Sequence, residues 1–121
     1  MKVKILAVIS IVLVITAVIA NTCVISKQSA ELYGRVKKID VSGEEALSAA
    51  IEAYEYYKAR ESYISLTVNH EDLTNIEDAF NELIGYLEVD MREDAEVTKN
   101  RLLCFVEHLG RLSGINIDAI I

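Results

Sequence analysis

Residues 5–20 read ILAVISIVLVITAVIA, apolar apart from Ser10 and Thr16, and the run extends through Asn21, Thr22 and Cys23 to Ile25, giving 21 positions. As an α-helix rising about 1.5 Å per residue, this stretch is roughly 30 Å long, the thickness of a bilayer's hydrocarbon core. A core helix of a small soluble domain carries a polar face; this one has none. Lys2 and Lys4 precede it, the arrangement of a signal peptide or signal anchor. The segment is therefore expected to enter a membrane, leaving enough chain for one small domain.

Three fates are open to such a segment. Val18-Ile19-Ala20 fits a small-x-small cleavage rule. The run is nevertheless longer than the ~7–15 residues of an ordinary signal core, which favours a retained anchor. Lipidation at Cys23 fits poorly, because Thr22 stands where a very small residue is required. Lys2 and Lys4 lie before the span, while Lys27, Arg35, Lys37 and Lys38 follow within about 20 residues. The short basic tail is that of an anchor with its N-terminus inside, so the C-terminal domain is expected outside the cytoplasm, although the later cations compete.

The 121 residues contain five glycines, no proline and no tryptophan, with 52% apolar and 26% charged residues. That excludes a collagen-like chain, a Pro/Gly-rich disordered chain and a many-turned β-sandwich. Two cysteines exclude a disulfide scaffold. A formal charge of −7 argues against nucleic acid, whose phosphates need a basic face.

Beyond Ser26 the apolar residues recur at helical spacing. Leu32, Val36 and Ile39 mark a short amphipathic stretch, which Asp40-Val41-Ser42-Gly43 interrupts. Ser42 followed by Glu45 reads as a capping box opening a helix toward Val68, with Leu47, Ile51, Tyr54, Ile64 and Val68 on its buried side. Asn69 or His70 is the next break. Leu73, Ile76, Phe80, Leu83 and Leu87 then give the 3-4 rhythm of a lengthwise seam. Asp90 with Glu93 signals a new start, Leu102, Phe105, Val106, Leu109 and Leu112 line the last helix, and Gly114 offers a left-handed stop. Residues 63–68 alternate with period two and are the one place where a strand competes. The fold class predicted is all-α: an N-terminal transmembrane helix followed by a small antiparallel bundle of three to four helices. Its segments are a membrane anchor or uncleaved signal at 1–26, a basic juxtamembrane helix and connector at 27–42, and the bundle at 43–121.

Charge is unevenly distributed. Residues 27–38 hold four basic groups and one acid, whereas residues 71–96 hold ten acids and only Arg92. A basic collar beside a span is drawn to anionic head groups by about 1 kcal/mol per residue. The acidic hairpin would then stand outward, either as a solvated face or as a surface for a basic partner.

No phosphate loop, paired-cysteine zinc spacing, H-E-x-x-H or serine elbow occurs, so no enzyme and no cofactor are expected. If the last two helices turn near Val89 and Asp90, position 70 faces roughly position 109. His70 and His108, with Glu71, Asp72 and Glu107, then make a weak candidate for a divalent metal. The plainer reading has His70 at a helix start and His108 near a helix end. Cys104, between Leu103 and Phe105, reads as a small buried residue. Tyr54, Tyr56 and Tyr57 occupy both sides of their helix and cannot all be core. The terminal residues Ile115, Ile117, Ile120 and Ile121 must dock, either closing the bundle or entering another protein, and are the candidate partner contacts.

His70 followed by Ile76, then Leu83 and Leu87, Glu107-His108-Leu109 and Ile115-Asn116-Ile117 resemble a bacterial family known as domain of unknown function 4363. The resemblance covers about residues 45–120, with the anchor similar in kind only. Tyr63 stands where the family usually carries tryptophan. The resemblance implies a small membrane-associated helical protein of the cell envelope and favours interaction over catalysis. The function expected is that of a single-pass membrane protein, its domain outside the cytoplasm, acting as a non-enzymatic accessory subunit that binds an envelope protein or itself. A ligand- or pH-sensing helical domain and a His/carboxylate metal protein are the alternatives.

Overall fold

The computed structural model describes the backbone of residues 2–66 and 68–120 and the side chains of residues 2–66 and 68–110. The candidate contacts Ile115, Ile117, Ile120 and Ile121, together with Leu112, lie outside the described side chains. The fold is all-α, with helices α1 (Lys2–Lys37), α2 (Ala46–Ile64), α3 (His70–Glu88) and α4 (Arg92–Ile120), and no strand among the described residues. Each helix packs on its neighbours in the chain and α4 closes back on α1, making an antiparallel four-helix bundle.

The segments read as 1–26 and 27–42 are carried by one helix. No proline, and no glycine before Gly34, interrupts its hydrogen-bond ladder. Its first half, residues 2–20, is exposed on every side. Its second half buries Thr22, Ile25, Ser29, Leu32 and Val36, a 3-4-3-4 stripe that makes it a full member of the bundle. Continuity also moves the basic residues. Arg35 lies ten residues beyond Ile25, about 15 Å up the bundle axis. There it binds Glu31 at 3.1 Å and stacks on the Tyr56 ring, 4.4 Å from its centroid. Lys37 lies over Tyr33. The expected basic collar is thus drawn out along the bundle, with only Lys27 near its base.

The loop after α1 corrects the capping box. The Asp40 carboxylate accepts the Ser42 N–H at 3.1 Å, so the turn is organised from its first residue. α2 starts at Ala46, capped by Glu45 without a side-chain bond. The α2 face is corrected too. Ala46, Ala50, Ala53, Tyr57 and Ile64 are buried, whereas Ile51 is 38% exposed and Leu47 and Tyr54 are half-buried. Small side chains allow α2 to lie close to its neighbours, and Tyr57 fills the remaining space, stacked on Phe80 at 5.9 Å. The helix ends at Ile64, and Ser65 and Leu66 form a turn in the region where a strand competed.

α3 and α4 follow their sequence pattern more closely. The Asn69 side chain accepts the Glu71 N–H at 3.0 Å, and the five expected residues Leu73 to Leu87 are buried with Ala79. The α3–α4 turn centres on Asp90, whose φ of 62° is left-handed. The Met91 N–H reaches the Tyr86 carbonyl at 2.9 Å, so Asp90 closes α3 and does not cap α4. α4 buries Leu102, Val106 and Leu109, with Phe105 half-buried, and continues through Gly114 to Ile120 in place of the expected stop. Cys104 faces solvent, since Leu102 and Val106 on either side of it define the inward face.

The alanine face makes a checkable claim. Ala53→Leu is expected to cost about 1–3 kcal/mol through overpacking. Ile51→Ala is expected to cost about 1 kcal/mol or less, because its side chain is already part-solvated. Urea unfolding in detergent micelles compares the two; the reverse ranking would restore the large-residue face.

Candidate functional site

The two histidines do come to the same end of the α3–α4 hairpin. His108 Nε2 lies 3.8 Å from Asp72 Oδ1, near the register expected from a turn at residues 89 and 90. His70 is the first residue of α3; it is exposed, and its carbonyl accepts the Thr74 hydroxyl at 3.0 Å. Glu71 is exposed in the same first turn, its N–H held by Asn69. Glu107 sits on another side of α4, in the wall of a shallow groove of about 500 Å³ shared with Ser26, Ser29, Ala30, Tyr33 and Gly110. Among the described residues, no three His, Cys, Asp or Glu side chains converge on a point that could hold a metal ion. The pair that remains is a solvent-facing ion contact, worth about 0–1 kcal/mol when the histidine is protonated.

That groove borders the seam on which the bundle closes. The Ser29 hydroxyl donates to the Val106 carbonyl at 2.9 Å, tying α1 to α4. A Cβ at Gly110 would stand 3.0 Å from the same Ser29 oxygen, so glycine permits the approach. At the other end of the seam, Lys99 donates to the Ile39 carbonyl at 2.6 Å. Arg92 reaches the Val41 carbonyl and, at 2.9 Å, that of Gly43. Two cations of α4 thus satisfy carbonyls just past the C-terminal end of α1, where positive charge is favoured. No periodic signal announces this seam, since Ser29, Gly110, Arg92 and Lys99 stand in no common motif.

The tyrosines divide as their spacing requires. Tyr57 is 1% exposed and its hydroxyl donates to the Leu73 carbonyl at 3.2 Å. Burial raises its ionisation well above the ordinary value, with Glu61 and Glu77 adding to the effect. Tyr54 is raised in the same direction, first by burial and then by Glu77. Two guanidinium groups lie over the Tyr56 ring, that of Arg60 3.6 Å and that of Arg35 4.4 Å from its centroid. These contacts give the aromatic cluster a packing role.

No protein-family model, curated protein or solved structure matched the chain in comparison.

Two outcomes follow from this geometry. Above pH 10, the ordinary tyrosine value, the unfolded chain ionises Tyr57 while the folded chain keeps its proton, so stability must fall as pH rises. Tyr57→Phe is expected to flatten that alkaline limb while costing about 1 kcal/mol at neutral pH, read from unfolding curves between neutral and strongly alkaline pH. At the seam, Gly110→Ala gains about 1 kcal/mol of helix propensity but disturbs the Ser29 hydrogen bond. It is therefore expected to be near neutral alone and stabilising by about 1 kcal/mol in a Ser29→Ala background; equal effects in both backgrounds would deny the coupling.

Proposed function

We propose that this chain is a single-span membrane protein whose four-helix domain stands outside the cytoplasm as a non-enzymatic interaction subunit of an envelope assembly. The observation that carries the reading is α1. One helix is long and apolar enough to cross a membrane, wholly exposed along residues 2–20, and continuous with the bundle's first core helix. In water such a surface is a liability; in a bilayer it is the anchor. The domain side of the reading rests on a filled core of Tyr57, Phe80 and aliphatic side chains, with polar groups spent on helix ends and the closing seam. Such an arrangement suits a rigid module presented at a fixed attitude to the membrane.

Cross-linked affinity purification of the full chain from its native membranes, with mass spectrometry of what is recovered, tests the reading. The expected result is the uncleaved chain in the alkali-resistant membrane fraction with a stoichiometric envelope protein. Recovery in the soluble fraction, cleavage after Ala20, or recovery of the chain alone would overturn the corresponding part. Orientation is read on Cys104, exposed on α4, in a Cys23→Ala background. A membrane-impermeant maleimide is expected to label it in intact cells; labelling only after lysis would place the domain in the cytoplasm.

A further inference from the structure

We propose that the end of the bundle farthest from the apolar half of α1 is a docking surface for a basic, amphipathic segment of another protein. The inference rests on the membrane-anchored reading above and names the surface and the partner chemistry that reading leaves open. Beyond residue 25, among the described residues, strongly exposed large apolar side chains are few, and apart from Leu66 they gather at one place. Val89 is 63% exposed, Met91 46% and Val97 68%, and all three lie within nine residues at the α3–α4 turn and the start of α4. Glu88, Glu93 and Asp94 are interleaved with them and exposed. Val97 stands one turn along the same outward face of α4 as Glu93 and Asp94.

The cations nearest this patch on α4, Arg92 and Arg101, are engaged within the chain. Arg92 donates to the Val41 and Gly43 carbonyls and, through Nε at 2.7 Å, to Asp90. Arg101, one turn beyond Val97, binds Glu82. The surface therefore offers apolar contact rimmed by carboxylates, the complement of a helix or loop carrying leucine-like residues among lysines or arginines. It is also ordered in advance. The left-handed Asp90, the Met91-to-Tyr86 backbone bond and the Arg92 clamp on the 41–43 loop fix the tip, so binding need not first order it. Height decides against the protein's own bilayer as occupant. The bundle section of α1 from Thr22 to Val36 holds the tip about 21 Å above the base, and acidic groups are repelled by anionic head groups.

The test uses the full chain in nanodiscs of zwitterionic lipid, titrated with a fluorescent lysine/leucine amphipathic helical peptide, with empty nanodiscs as the blank. Saturable binding is expected. Val89→Ser with Val97→Ser should weaken it at least about tenfold, since two apolar contacts are lost. Glu93→Gln with Asp94→Gln should weaken it and flatten its salt dependence. Glu71→Gln with Asp78→Gln, the same charge change away from the tip, should leave it unchanged. All these residues are exposed, and melting curves check that each variant folds. Equal weakening by both glutamine pairs would reveal a diffuse acidic field and overturn the proposal. So would indifference to the serine pair, or sedimentation showing that this pair abolishes a dimer, which would make the occupant a second copy. These outcomes are separate from failure of the anchored reading, which shows in the membrane fraction and not in the titration.

Discussion

One backbone hydrogen-bond ladder runs from residue 2 to Lys37, and the rest of the molecule takes its attitude from it. A helix can bend sharply only where proline, a glycine/serine pair or an inserted group disrupts the ladder. The first half of α1 has none of these, and the threonines along the helix turn inward on its backbone: the Thr16 and Thr22 hydroxyls donate to the Val12 and Val18 carbonyls, each at 2.8 Å. A bilayer accepts only segments whose backbone polar groups are internally satisfied, and this helix meets that condition without help from a neighbour. The stripe Thr22, Ile25, Ser29, Leu32 and Val36 is then phased to the apolar half by helical geometry alone. The axis of the bundle follows the axis of the span.

Because α1 is both stalk and core helix, the contact that closes the bundle must be made to it by the last helix. The α1–α4 seam joins residues 77 apart in the chain through Ser29 and Val106. Its close approach depends on a missing side chain at Gly110, and its far end is secured by Lys99 and Arg92 on carbonyls of the connecting loop. The cations do here what a helix cap does elsewhere, since the loop after α1 uses Asp40 for its own turn. The small-residue face of α2 follows the same economy. A bundle whose stalk helix is fixed in direction accommodates its neighbours by bringing backbones close, and alanines at 46, 50 and 53 permit it.

The parts that could be read in the sequence were those where large apolar residues repeat without competition. α3 is the plainest case: its stripe from Leu73 to Leu87 follows from spacing, and its start falls at Asn69, one of the two breaks the sequence offers. On α2, hydrophobic size is a poor sign of burial. Ile51 and Leu47 are larger than Ala50 and Ala53, yet close packing selects the small face. Ser42 and Glu45 satisfied the spacing of a capping box, but Asp40 competes for the Ser42 N–H two residues earlier and wins. The apolar neighbours of Cys104, Leu103 and Phe105, do not bury it, because burial on a helix depends on residues three and four away. The seam was illegible for a different reason. Ser29 and Gly110 acquire meaning only when two distant helices touch.

The same geometry sorts the charged and titratable residues by what can reach them. His70, His108 and Asp72 lie at the end of the bundle where α1 enters its apolar half, together with the turn that carries the exposed Leu66. If residues 5–20 occupy a bilayer, that end faces the head groups at close range, and a soluble domain has little room to approach it. The opposite end has no such neighbour. Val89, Met91 and Val97 are exposed there, and Arg92 and Arg101 beside them are committed to loop carbonyls and to acids of the same chain. The histidines attract attention in the sequence because few residue types bind metal or titrate near neutrality. The valines attract none, since an isolated exposed valine is ordinary. With the apolar half of α1 in a bilayer, the direction of that helix would turn the order round, setting the histidine end toward lipid and leaving the valine end away from it.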